Sequence, residues 1–151
     1  MGTSPLLYFA FGSNLDPEQL ARRVPGAAYL RPGVLRDHTL AFVARPGQEG
    51  PGVAHLEPKP GARAWGMLIR FPADGWETMD LYEGTPRVYQ RAARLVEGPK
   101  GRAPVWVGLY LMGGSPRRAE PAPAYLDRVA RGYQYWRLPV TFLREAVKAS
   151  R

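Results

Sequence analysis

The sequence predicts an α+β fold, and three observations carry that expectation. Short apolar runs bounded by proline or glycine, such as Leu6–Phe11 and Ala64–Phe71, have the length and composition of strands. Two other segments open on capping patterns, Asp16-Pro17-Glu18-Gln19 and Asp74 with Glu77 three residues on, and read as helices. The chain has 151 residues, 45% of them hydrophobic, which suits one domain with a proper core. No repeat, linker or composition break divides it, so residues 1–151 are expected to form a single domain.

Taken in order, Leu6–Phe11 is an apolar strand between Pro5 and Gly12. Asp16 is a good N-cap and Pro17 suits the first helical position, with Gln19 completing a capping box; that helix should end near Arg23, ahead of Pro25-Gly26. Ala28–Leu35 and Thr39–Ala44 read as two strands around Arg36-Asp37-His38, and Arg45–Pro51 as a loop. Val53–Leu56 reads as a short strand, Pro58–Gly61 as a turn and Ala64–Phe71 as a further strand. A helix follows over Gly75–Glu83, capped by Asp74 and stopped by Gly84. Val88–Val96 and Ala103–Met112 are strands; in the second, aliphatic residues alternate with Trp106, Gly108 and Tyr110. Gly113–Pro123 is loop, and helices over Ala124–Tyr135 and Pro139–Ala149 close the chain.

Composition narrows the function classes. The net charge is +8, but the basic residues are scattered and no run of five or more occurs, which argues against a nucleic-acid arm. Cysteine is absent, so disulfides, thiolate metal sites and a cysteine nucleophile are excluded. His38 and His55 are too few imidazoles for most zinc sites, and no metal is expected. No basic leader region precedes Leu6–Phe11, and no stretch reaches spanning length, so a soluble, cytoplasmic protein with no membrane partner is expected.

Two stretches carry chemistry. In the first, an apolar strand runs through Phe11 into Gly12-Ser13-Asn14 and on into a helix. Such a turn is either an ordinary connector or an anion site, because backbone N–H groups are left free ahead of the positive helix end. In the second, Trp76, Met79, Asp80 and Glu83 fall at i, i+3, i+4 and i+7 of one helix, so Glu83 shares a face with the apolar residues. A carboxylate there is opposed by desolvation and by the helix dipole. It is either a boundary residue reaching water or an arginine, or a general acid/base with a raised pKa. Other chemistries fail on pattern: Ser13 lacks the Gly-x-Ser-x-Gly elbow, Asp37 and His38 are strand neighbours pointing opposite ways, and neither dinucleotide nor Walker glycine patterns occur.

These residues resemble the signatures of the γ-glutamylcyclotransferase-like family. Tyr8-Phe9-Ala10-Phe11-Gly12-Ser13-Asn14-Leu15 is similar to the first of them, and Met79-Asp80-Leu81-Tyr82-Glu83-Gly84 to the second, which ends on the catalytic glutamate. Trp65-Gly66-Met67, Tyr89, Leu109-Tyr110-Leu111-Met112 and the stretch from Tyr125 through Gly132 to Leu138-Pro139 resemble further family features in the same order. The resemblance covers nearly the whole chain.

It implies a small mixed barrel-like sheet with helices around it, and a cofactor-free reaction on a small γ-glutamyl substrate. The α-amine of the glutamyl group attacks its own side-chain amide, closing 5-oxoproline and releasing an amino acid or amine. Glu83 would be the catalytic acid/base; Phe11, Gly12, Ser13 and Asn14 the substrate loop; and Tyr110 a contact to the glutamyl end, with a phenol able to donate to a carboxylate. Ring closure is intramolecular, so positioning carries much of it, and one carboxyl can move the proton from attacking to leaving nitrogen. The loop amides could hold the tetrahedral oxyanion. The resemblance allows for a homodimer.

One departure stands out: Phe11 replaces the tyrosine usual before Gly-Ser-Asn in the family. The segment from Glu83 to Arg91 is closer to the γ-glutamylamine branch, whereas the loop and C-terminal helices are closer to the γ-glutamyl-amino-acid branch. The leaving group therefore stays open at this level. Two competing readings remain: a non-catalytic relative binding a small carboxylate in the same pocket, and a basic nucleic-acid-binding module. Tyr125, Tyr133 and Trp136 read as packing, and Arg22, Arg23 and Arg36 as solvated residues, one of which could meet a substrate carboxylate.

Overall fold

The first apolar run is flanked by glycine and is buried on both sides, which suits a central strand rather than an edge. The computed structural model describes residues 6–151, so the boundary expected at Pro5 lies outside the described residues. Strand β1 (Leu7–Ala10) sits between β3 (Val53–Arg70), to which it is antiparallel, and β5 (Arg102–Leu111), to which it is parallel. With β2 (Ala28–Val43) and β4 (Gln90–Gly98) the strands close a five-stranded barrel in the order β1-β3-β2-β4-β5. Closure between β2 and β4 is narrow, Val34 opposite Glu97. Gly33 makes it feasible, because a Cβ there would lie 2.5 Å from Val96 Cγ1. Arg36 reinforces the seam with a 2.5 Å bond to Glu97 Oε1.

Two pairs of predicted strands turn out to be single long ones. Ala28–Leu35 and Thr39–Ala44 join as β2, and the strands on either side of the expected Pro58–Gly61 turn join as β3. The reason is a bulge rather than a chain reversal. The pairing steps from Arg36↔Arg63 to His38↔Pro58, leaving Asp37 on one strand opposite residues 59–62 on the other. Asp37 takes a left-handed φ of 60° and Gly61 one of 83°, and the Gly61 amide donates to the Asp37 carboxylate at 2.9 Å. The local geometry of a turn is present, but β2 and β3 continue pairing through it.

Four helices pack around the barrel. α1 (Pro17–Arg23) is capped by Asp16, whose side chain accepts from the Glu18 amide at 3.1 Å. The expected return bond from Gln19 does not form, because Gln19 turns into the preceding loop instead. α2 (Gly75–Glu83) has the predicted bounds and ends on Gly84 at φ 65°. Asp74 makes no side-chain cap there; Gly75 instead donates to the Pro72 carbonyl at 2.9 Å. α3 (Pro123–Trp136) packs on the loop after β1, and α4 (Val140–Ala149) on β2. The core is filled by Phe9, Phe42, Leu68, Ile69, Val107 and Leu109, all fully or almost fully buried. No helix among the described residues is long and apolar enough to cross a membrane.

Candidate active site

The strand that ends at Ala10 delivers its chain to a 3-10 turn over Ser13–Leu15, which leads directly into α1. Leu15 and Asp16 donate back to the carbonyls of Gly12 and Ser13, both at 3.1 Å. The amides of Gly12, Ser13 and Asn14 make no backbone bond among the described residues, as expected for the first N–H groups of a helical segment. Gly12 is set by space: a Cβ there would lie 2.7 Å from Ala54 Cβ on β3.

Side chains from α1, α3 and β2 hold this turn rigid. Tyr29 donates to the Asn14 carbonyl at 2.5 Å and Trp136 to the Leu15 carbonyl at 2.8 Å. Gly132 lets α3 approach, since a Cβ there would meet Leu15 Cβ at 2.4 Å. The Asp16 carboxylate, almost fully buried, receives Arg128 at 2.6 Å. Asn14 is clamped from both ends. Its Oδ1 accepts from Gln19 Nε2 at 2.9 Å and Arg23 Nη1 at 3.2 Å, so its Nδ2 faces the Tyr8 hydroxyl at 3.0 Å and Glu83 Oε1 at 3.4 Å. Ser13 Oγ accepts from the Gln19 amide at 2.8 Å, and an amide is no base, so Ser13 is not set up as a nucleophile.

Glu83, on the last turn of α2, faces this loop across a small cavity of about 40 Å³. Phe11, Gly12, Ser13, Asn14, Glu83 and Tyr110, all six residues singled out in the sequence, line it together. Three further tyrosines, Tyr8, Tyr89 and Tyr125, form most of the remaining wall. Two of them grip one residue of β3: Tyr89 donates to the Ala54 carbonyl at 2.6 Å, and the Ala54 amide donates to the Tyr125 hydroxyl at 2.9 Å. Tyr125 is therefore a wall of the cavity as well as a packing residue. Tyr133 is core, as expected, and Trp136 braces the loop.

Burial in this aromatic setting raises the Glu83 carboxyl to about 7, and the nearby guanidiniums of Arg23 and Arg45 pull against that rise. A carboxyl near neutrality can both take and return a proton in water at ordinary pH. Burial also raises the phenols of Tyr8, Tyr89 and Tyr125, the last to about 12, so these hydroxyls stay protonated.

Tyr110 is committed on one side. Its hydroxyl donates to Asp80 Oδ1 at 2.6 Å, while Arg91 Nη2 binds Asp80 Oδ2 at 2.8 Å and lies over the Trp76 ring. The proton expected to be available for a substrate carboxylate is thus already given to Asp80, and the phenol oxygen offers the cavity its lone pairs. Trp76 occupies the gap left by Gly108, where a Cβ would sit 2.5 Å from the indole. That explains the glycine between Trp106 and Tyr110.

His55 is buried on β3, accepts from the Met112 amide at 3.3 Å, and is lowered to about 4 by burial, so it is a neutral structural imidazole. No three His, Cys, Asp or Glu side chains gather into a metal site among the described residues. Sequence reasoning missed Tyr8, Tyr89, Tyr125 and Arg45 as site residues, and allowed Arg23 only as one of three arginines that could meet a substrate carboxylate. Arg23 is half-buried against Asn14 and Tyr82 rather than solvated, whereas Arg22 and Arg36 lie at the surface, paired with Glu18 and Glu97.

The chain as a whole has relatives among known proteins. Residues 8–137 match the family model described as gamma-glutamyl cyclotransferase, AIG2-like. The chain is 27% identical to the human gamma-glutamylcyclotransferase over 147 residues, covering 95% of this chain and 77% of that protein. It is 30% identical to the mouse gamma-glutamylcyclotransferase over 148 residues, with the same coverage of 95% and 77%. A solved structure of a gamma-glutamyl cyclotransferase superposes with a TM-score of 0.85 at 28% identity, over 95% of this chain and 86% of that one.

Proposed function

The chain belongs to the gamma-glutamyl cyclotransferase, AIG2-like family, and from that premise we propose that it cyclises a γ-glutamyl group to 5-oxoproline with Glu83 as the acid/base. The ionised Glu83 carboxylate takes a proton from the substrate α-ammonium. The freed nitrogen lone pair attacks the γ-carbonyl carbon, a C–N bond forms and the carbonyl oxygen becomes an oxyanion. The amides of Gly12, Ser13 and Asn14, which make no backbone bond and belong to residues lining the cavity, would receive that charge. The protonated Glu83 then gives its proton to the leaving nitrogen and the γ-C–N bond breaks; the ring nitrogen returns its second proton to the Glu83 carboxylate, and the departing amine or amino acid carries that proton away as its ammonium.

The observation that carries this reading is the setting of Glu83: a carboxyl brought to about 7 by burial, facing a loop of unengaged amides. A site that only binds a small carboxylate gains nothing from such a group, because it repels the ligand whenever it is ionised. Tyr110, whose hydroxyl donates to Asp80, supports the same chemistry by offering its oxygen lone pairs to the substrate ammonium. The test is incubation with a panel of γ-glutamyl dipeptides and γ-glutamylamines, reading 5-oxoproline directly. Turnover in the wild type and its loss in a folded Glu83→Gln variant are expected; full activity in that variant overturns the mechanism.

A further inference from the structure

The side chains behind the loop have one hydrogen-bond polarity, and it starts at Arg23. A guanidinium can only donate, so the Asn14 atom that it meets at 3.2 Å is the carbonyl Oδ1. Gln19 meets the same oxygen at 2.9 Å and therefore presents its NH2 group there. The other hydrogen of that nitrogen goes to Ser13 Oγ at 2.8 Å. Turning Gln19 over would set two acceptors face to face, and turning Asn14 over would set its NH2 group against the guanidinium. Arg23 thus fixes Asn14, Asn14 fixes Gln19, and Gln19 fixes Ser13.

Ser13 takes its polarity from the end of this chain of bonds. Its oxygen is held as an acceptor, and its own proton meets no acceptor among the described residues. Ser13 lines the small cavity in front of Glu83. Gln19 lines neither that cavity nor the one adjoining it at Glu83, so it does not touch a bound substrate. Yet Gln19, on the first turn of α1, is only 8% exposed. An apolar side chain of the same length would bury there without the cost of desolvating an amide, so the amide is explained by what it bonds. A hydroxyl whose oxygen is already held is oriented in advance to donate to an oxygen. A γ-glutamyl group presents such oxygens in its carboxylate and in the carbonyl that becomes the oxyanion.

We propose that Gln19 is a positioning residue of this site: its amide, oriented by Arg23 through Asn14, commits the Ser13 hydroxyl to donate its proton to an oxygen of the bound glutamyl group. The inference rests on the cyclotransferase reading.

The experiment measures 5-oxoproline formation from the best γ-glutamyl substrate of the wild type, at a pH above the range in which Glu83 titrates in every variant, together with thermal unfolding. Gln19→Met keeps the length of the side chain and removes both bonds; kcat/KM should fall about tenfold. Gln19→Glu keeps the shape and reverses the polarity, because its carboxylate takes the Ser13 proton and pairs with Arg23 four residues on. It should unfold no earlier than Gln19→Met and yet turn over more slowly, a split that a packing role does not produce. Ser13→Ala identifies the route. If Gln19 acts through that hydroxyl, Gln19→Met should cost little once Ser13 is replaced, so the two losses do not add. Wild-type turnover in Gln19→Met overturns the inference. So does turnover in Gln19→Glu at or above that of Gln19→Met, or strict additivity in the double variant. Absence of 5-oxoproline from the wild type with every γ-glutamyl compound is a different result: the cyclotransferase reading itself then fails, and the inference with it.

Discussion

The Tyr110 hydroxyl donates to Asp80 Oδ1 at 2.6 Å, and Arg91 holds the other oxygen of that carboxylate at 2.8 Å. The bond runs from the floor of the barrel, β5, to the helix that carries Glu83, so it fixes both the polarity of the phenol and the height of α2. An amide at position 80 can donate to the phenol and let its proton swing into the cavity. Asp80→Asn should therefore reduce kcat/KM by about tenfold, as loss of one charge-assisted bond. The double-mutant cycle decides the cause. If Asp80 acts through Tyr110, the losses in Asp80→Asn and Tyr110→Phe should not add in the double variant. Strict additivity in kcat/KM would show that the two residues act separately.

Glu83 has a stability consequence that opposes its chemistry. Its carboxyl is raised from 4.5 to about 7 by burial, so the folded state binds a proton more tightly than the unfolded one. Stability from this group is full below pH about 4.5 and falls as pH rises through the window up to about 7, by about 3 kcal/mol in all. Glu83→Gln removes the titration. The variant should be more stable than the wild type above pH 7 and nearly equal to it near pH 4, in urea unfolding followed at both pH values. An inactive variant that is also less stable at pH 8 would contradict the burial argument.

The same titration should appear in the kinetics. A general base must be ionised in the free enzyme, so kcat/KM should rise with pH through a limb near 7. Arg23 and Arg45 lower the Glu83 value, so removing either charge should move the limb to higher pH. Arg45→Gln is the cleaner variant, because Arg23 also bonds Asn14 in the substrate loop. A limb that stays in place, or moves to lower pH, would show that another group titrates.

Legibility in the sequence followed the range of the physics. The bounds of α2 and the partial burial of its Trp76–Glu83 face were legible from helical period and a C-terminal glycine, which act within a turn or two, although the side-chain cap expected of Asp74 does not form. Glu83 was visible for that reason, and the Gly12–Asn14 loop because an apolar strand runs straight into a cap. The long ribbon β2–β3 was not: Asp37, Pro58, Pro60 and Gly61 carry turn chemistry, and only pairing across the ladder shows that they form a bulge. Most of the tyrosine wall was hidden for a related reason: Tyr110 came with the family resemblance, but Tyr8, Tyr89 and Tyr125 lie in three other parts of the chain and join it only when the barrel closes and α3 packs on the loop after β1. Arg45 leaves no local signal at all, since a lone arginine after a strand reads as solvent-exposed loop.

Gly12 gives the sharpest steric test of the site. A Cβ there would lie 2.7 Å from Ala54 Cβ, on the residue gripped by Tyr89 and Tyr125. Neither side yields easily, because Asn14 and Leu15 are tied to Tyr29 and Trp136 and Ala54 lies within the β2–β3 ladder. Gly12→Ala should therefore displace the loop amides, with a stability loss of about 1–3 kcal/mol and a larger proportional loss of turnover. Ala54→Gly removes the opposing methyl while keeping both backbone bonds, at a strand cost of about 0.5–1 kcal/mol. The double variant should then recover much of the activity lost in Gly12→Ala. Thermal unfolding and 5-oxoproline formation, measured on all four proteins, read the two effects separately. Recovery of stability without recovery of turnover would mean that the amide positions at this turn are not what the reaction depends on.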